Sequence, residues 1–123
     1  PWQTIDARCD LKVGGEFFTM MKSPEGEEFP NSGVYLELIK NKRIVWTDAF
    51  LPGWFPTEDT SDRPFLLVAS LDFEDLGNGK SRYAAIARHW TVEQCKKHEE
   101  MGFYEGWGTC IDQLVKYIKA GMK

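Results

Sequence analysis

The chain predicts an α+β fold: a curved antiparallel β-sheet of about six strands packed around one long C-terminal α-helix. Three observations predict it. Apolar and polar residues alternate through most of the chain as far as Trp90, and the period lengthens at Thr91. After Gly102 a single apolar stripe follows at helical spacing. A sheet must hide one face, and that stripe is the long apolar surface available to cover it.

Each element has its own signal. Thr4–Leu11 sets Ile5, Ala7, Cys9 and Leu11 against Thr4, Asp6, Arg8 and Asp10, a half-buried strand. Gly14-Gly15 breaks it, and Glu16–Lys22 reads as a second strand. Ser23-Pro24-Glu25-Gly26 is turn chemistry, with Pro presetting φ and Gly accepting positive φ. A third strand over Gly33–Ile39 places Val34, Leu36 and Leu38 on one face and Tyr35, Glu37 and Ile39 on the other. Lys40-Asn41-Lys42 links it to a fourth strand, Arg43–Phe50. Leu51–Arg63 reads as a loop through Pro52, Gly53, Pro56 and a polar run to Asp62. Its Trp54 and Phe55 suit a lid, a partner contact or a core plug. Phe65–Glu74 and Ser81–Trp90 alternate on either side of Asn78-Gly79, the dipeptide of a tight primed hairpin. Thr91-Val92-Glu93-Gln94 is a capping box, and Glu93/Lys97 and Lys96/Glu100 are i,i+4 pairs. Phe103, Trp107, Ile111, Leu114 and Ile118 form the stripe, which Gly121 ends.

Composition narrows the function. The 123 residues, 42% hydrophobic and 28% charged, suit one domain (1–123) with a packed core. Five Trp and eight Phe are many for that size, and such rings fill a core or line a cavity. A net charge of −4 without a basic block argues against nucleic acid as a partner. No apolar run approaches the roughly 20 residues that cross a bilayer. Cys9, Cys95 and Cys110 are odd in number and scattered, which fits a reduced, cytoplasmic protein. The chain opens Pro1-Trp2-Gln3-Thr4 without an initiator Met, so a processed or truncated N-terminus is expected.

Strand parity selects the candidate site. Trp46, Asp48 and Phe50 share a face of the fourth strand, Tyr83 and His89 share a face of the last, and Phe103 and Trp107 look inward from the helix. Ala85 and Ala87 between Tyr83 and His89 would leave space, so these seven residues are candidates for the wall of a small-molecule cavity. A solid aromatic core holding one hydrogen-bonded His accounts for the same pattern. Gly102, Gly106 and Gly108 are open to two readings, close helix packing with a kink or room for a ligand. His98 and Cys95 lie i,i+3, but too few further ligands exist for a metal site, and no cofactor motif or catalytic constellation emerges.

These segments together resemble a known superfamily. Val13-Gly14-Gly15-Glu16-Phe17, Pro24-Glu25-Gly26-Glu27-Glu28, Gly33-Val34-Tyr35-Leu36-Glu37 and Arg43-Ile44-Val45-Trp46-Thr47-Asp48-Ala49-Phe50 are similar to SRPBCC proteins. Ala87-Arg88-His89-Trp90-Thr91 and the run His98-Glu99-Glu100-Met101-Gly102-Phe103-Tyr104-Glu105-Gly106-Trp107 continue the likeness. Within that superfamily the chain most resembles bacterial single-domain homologues of the activator of the heat-shock-protein-ninety ATPase. The resemblance implies a helix-grip (START-like) fold with a hydrophobic cavity between sheet and helix. It also implies one further strand and two short helices before Pro1, about 30 residues at ordinary element lengths.

The function expected on these grounds is non-enzymatic binding or carriage of a small apolar or aromatic ligand, with His89 or Asp48 as its polar anchor. Two alternatives stand beside it: a chaperone-linked interaction module that stimulates a heat-shock-protein-ninety ATPase, and a cyclase- or hydrolase-like enzyme using the same cavity. A homodimer is compatible with either, since the sequence is nearly silent on oligomeric state.

Overall fold

The structure is a computed structural model that describes residues 2–57 and 65–121. It is α+β and divides into two compact units, Pro1–His89 and Trp90–Lys123. The first holds a six-stranded sheet in the order β1-β2-β3-β4-β7-β8, antiparallel at every pairing. Its strands are β1 (Gln3–Cys9), β2 (Glu16–Lys22), β3 (Glu28–Ile39), β4 (Arg43–Thr47), β7 (Leu67–Gly77) and β8 (Lys80–His89). A small second sheet pairs β5 (Phe50–Leu51) with β6 (Phe55–Pro56). The polar run to Asp62 and Arg63 lies outside the described residues.

The turns form where local chemistry demands them. Ser23 closes its turn at both ends: its N–H donates to Glu27 O, and its hydroxyl accepts the Glu27 N–H at 3.1 Å. Asn78 and Gly79 adopt φ of 55° and 75°, the left-handed pair that a primed hairpin needs. Asn41 turns β3 into β4 in the same region of φ, at 64°.

Two bulges change the expected alternation. Between Thr4 and Asp6 the register slips, so Ile5 is the extra residue and Thr4 shares a face with Ala7 and Cys9. Between Tyr35 and Glu37 it slips again at Leu36, so Val34 and Leu38 fall on opposite faces. The single face read from Val34, Leu36 and Leu38 is therefore split. The side chains of β1 are exposed along its whole length rather than half-buried.

The fourth strand is also shorter than its alternation suggests, ending at Thr47. There the chain bends, and a knot of polar contacts replaces the ladder. Thr47 Oγ1 donates to Leu67 O at 2.7 Å and accepts the Ala49 N–H at 3.0 Å. Thr57 Oγ1 donates to Asp48 O at 2.6 Å. These bonds carry the chain into the β5–β6 hairpin, whose Trp54 has φ of 63° and lays its ring against Gly14. Val34 and Thr47 face each other across β3 and β4 and are the most deeply buried side chains among the described residues.

The second unit is a helix pair, α1 (Val92–Glu100) and α2 (Phe103–Lys119). Thr91 caps α1 by accepting the Gln94 N–H at 3.2 Å. Gln94 reaches back to accept the Trp90 N–H, one residue beyond the Thr91 N–H that an ideal capping box would bond. The expected single helix is broken at Gly102, where φ of 96° ends α1 and starts α2. Gly121, at φ of 102°, follows the end of α2.

Candidate functional site

Register places the side chains. On one face of the main sheet, Tyr35 opposes Trp46, Trp46 opposes Ala69, and Ala69 opposes Ala87. The neighbouring rows are Ile44–Leu71–Ala85 and Phe73–Tyr83, with Leu67–His89 at the other end. Trp46, Tyr83 and His89 thus share one face, with Ala85 and Ala87 between the last two as the sequence suggests. Phe73 and Tyr83 meet edge-on at 5.5 Å, and His89 meets Phe65 edge-on at 5.1 Å.

Asp48 and Phe50 do not continue that face. Asp48 sits past the end of β4 and its Oδ1 accepts the Leu67 N–H at 2.9 Å, tying the start of β7 to the end of β4. Phe50 belongs to the small β5–β6 sheet, where it meets Trp54 edge-on at 6.1 Å. The chain bend at Thr47 is the physical reason: alternation holds only while the ladder does. In the helical unit Phe103 and Trp107 stand one turn apart on α2, ring centroids 6.3 Å apart, and Phe103 also packs edge-on against His98 at 4.8 Å.

Two residues that parity did not select complete the aromatic face. Phe17 stacks on Trp46 at 5.2 Å with planes 21° apart, and meets Tyr35 edge-on at 5.8 Å. Tyr35 is buried, and that burial pushes its phenol well above the ordinary value, reinforced by a hydrogen bond and charge interaction with Cys9. It therefore stays a neutral hydroxyl at any physiological pH. The alternation of β3 alone pointed Tyr35 away from the apolar face; only the bulge at Leu36 brings it there.

The opposite face carries a charged network beside the apolar Val34, Val45 and Val68. Arg43 Nε donates to Asp72 Oδ1 at 2.6 Å and Arg43 Nη1 to Glu37 Oε1 at 3.2 Å, while Ser70 Oγ donates to Asp72 Oδ2 at 3.1 Å. The Arg43 bond holds the Asp72 carboxyl below its usual range. A groove of about 730 Å³ runs beside this network between Ile39, Arg43, Glu74, Arg82 and Ala84. Its acids and bases are matched, so it offers no net field to a charged ligand.

Among the described residues no group of three or more His, Cys, Asp or Glu could hold a metal ion. The three cysteines are free and exposed. No described helix is long and apolar enough to cross a membrane.

Comparison with known proteins supplies the family. The chain is similar to protein NE0264 from Nitrosomonas europaea, whose crystal structure matches with a TM-score of 0.88 and 43% identity, covering 98% of this chain and 73% of that one. The crystal structure of protein Ms6760 from Mycobacterium smegmatis matches at TM-score 0.66 and 20% identity, over 92% of this chain and 66% of the other. The solution structure of Chr148 from Cytophaga hutchinsonii matches at 0.53 and 18%, over 98% and 70%. The last two support the fold alone, the first the fold and kinship together. No curated protein matches the chain. One family model, "Activator of Hsp90 ATPase homolog 1-like protein", matches residues 1–119 and so spans both units. With the sheet order, the helix pair and this match in agreement, the chain belongs to the Activator of Hsp90 ATPase homolog 1-like family.

Proposed function

We propose that this protein binds a small, uncharged, largely apolar or aromatic ligand and catalyses no reaction on it. The observation that supports this reading is the aromatic face of the sheet, where Phe17, Tyr35, Trp46, Phe73 and Tyr83 border the small side chains of Ala69, Ala85 and Ala87. Rings beside alanines make a largely apolar surface, and such surfaces line small-molecule sites. The polar groups on that face include the Tyr83 hydroxyl and the His89 imidazole, while the Arg43–Asp72–Glu37 network lies on the opposite face. In this reading Trp46, Tyr83 and His89 are the ligand contacts on the sheet, and Phe103 and Trp107 are candidates from their place on α2. Asp48 and Phe50 shape the loop that leaves β4.

Native mass spectrometry of the protein taken directly from its expression host tests the proposal. An adduct of small-molecule mass, released on denaturation, is expected, with His89→Ala or Trp107→Ala lowering its occupancy while the fold survives. Unchanged occupancy in both variants overturns the assignment.

The family description favours a second reading, an interaction module for a heat-shock-protein-ninety chaperone. It requires stimulation of the chaperone ATPase by this chain, and a flat response removes it.

A further inference from the structure

Among the described residues β1 ends the sheet, so one side of its backbone faces away from β2. A bare strand edge is a template for a further strand, and folded proteins block it in recognisable ways. Register shows which groups point outward. The Asp10 N–H donates to Glu16 O at 2.9 Å, continuing the pairings of Cys9 with Phe17 and Arg8 with Phe18. Bonded and non-bonded pairs alternate in an antiparallel ladder. Arg8 therefore bonds to β2, whereas Ala7 and Cys9 turn their N–H and C=O outward.

The outward N–H of Ala7 is already engaged. Asp6 Oδ1, on the preceding residue, accepts it at 2.9 Å. Asp6 Oδ2 lies 3.8 Å from Arg8 Nη1, and Arg8 is itself held by Glu16 at 3.1 Å and by the Phe18 ring at 4.0 Å. The bulge at Ile5, immediately before, upsets the spacing that a neighbouring strand would have to match.

We propose that Asp6 guards the edge of β1 against a second copy of the same strand, by occupying the Ala7 N–H that such a pairing would need. An antiparallel copy centred on Ala7 sets each Ala7 against the other, so each outward N–H would have to reach the partner's Ala7 carbonyl. Asp6 supplies an intramolecular acceptor first, and its negative charge discourages a carbonyl oxygen from taking the same place.

Sedimentation equilibrium of the wild-type chain, Asp6→Ala, Asp6→Asn and the double variant Asp6→Ala/Ala7→Pro tests this, with circular dichroism checking the fold. Asp6→Ala is expected to raise the self-association constant at least tenfold over wild type. Asp6→Asn keeps an acceptor oxygen and is expected to stay close to wild type. Proline at position 7 removes the N–H and is tolerated on an edge strand, so the double variant is expected to lose the gained association. Equal association of Asp6→Ala and wild type, or a double variant as associated as Asp6→Ala, overturns the proposal. Amide exchange on the wild-type chain decides it without any variant: a slowed Ala7 amide supports the guard, and one that exchanges as fast as an open edge amide overturns it.

Discussion

Phe17 stacks on Trp46 at 5.2 Å although the two belong to β2 and β4, which β3 separates. The intervening position on β3, opposite Phe17, is Gly33. With no side chain there, the Phe17 ring can lean across β3 toward Tyr35 and Trp46. Gly33 has a second constraint, since a Cβ at that position would overlap the carbonyl oxygen of Thr47. One glycine thus lets two strands approach and two rings meet.

Gly33→Ala is expected to destabilise the fold by about 2–4 kcal/mol, because the obstacle is backbone and cannot rotate away. Denaturant unfolding measures the loss. Trp46 fluorescence should shift as Phe17 is displaced from its stack.

Gly106→Ala is expected to act in the opposite direction. A Cβ there meets no atom of its own unit within 4 Å, and the residue lies inside α2 without positive φ. Alanine should stabilise the helix by about 0.5–1 kcal/mol, read as a rise in Tm. If Gly106 makes room for ligand, the same variant lowers adduct occupancy while Tm rises.

Tyr35 sets an alkaline limit. Its folded-state value is raised, chiefly by burial, so above about pH 10, where a free phenol ionises, the unfolded chain loses a proton that the native chain keeps. Stability contributed by the neutral phenol is therefore complete below that pH and falls as pH rises beyond it. Tyr35→Phe is expected to flatten the decline between pH 10 and the folded-state value, in unfolding curves taken across that interval.

Asp72 acts at the acid end. Its folded-state value is lowered, first by the bond from Arg43, so its contribution is present above the unfolded carboxyl value of about 3.9 and is lost as pH falls through the lower folded one. The pair is solvent-exposed and the effect is small and screened by salt. Asp72→Asn should remove this part of the acid limb, and the difference from wild type should shrink in high salt.

Much of the architecture was legible in the sequence because its causes are local. Asn78-Gly79 made its hairpin since those two residues reach positive φ cheaply. Thr91 capped α1 since a hydroxyl accepts the third N–H of a new helix, and Gly26 and Gly121 marked turns and ends. Tyr83 and His89 were placed on one face of their strand by parity, which holds wherever the ladder is regular, and register across β7 brings Trp46 to the same face. Gly102 was a visible weak point, though its full break into two helices was not.

The tertiary structure decided what depends on a partner strand. A bulge is a property of two strands, so nothing in Thr4-Ile5-Asp6 or Tyr35-Leu36-Glu37 alone announces the slip that reassigns Thr4 and Tyr35. Where β4 stops is likewise set from outside it, by Leu67 and Thr57 bonding to Thr47 and Asp48, and this sends Phe50 into a different sheet. Turns, caps and periodicity are written in neighbouring residues, whereas register and strand ends emerge only when distant segments compete for the same backbone hydrogen bonds.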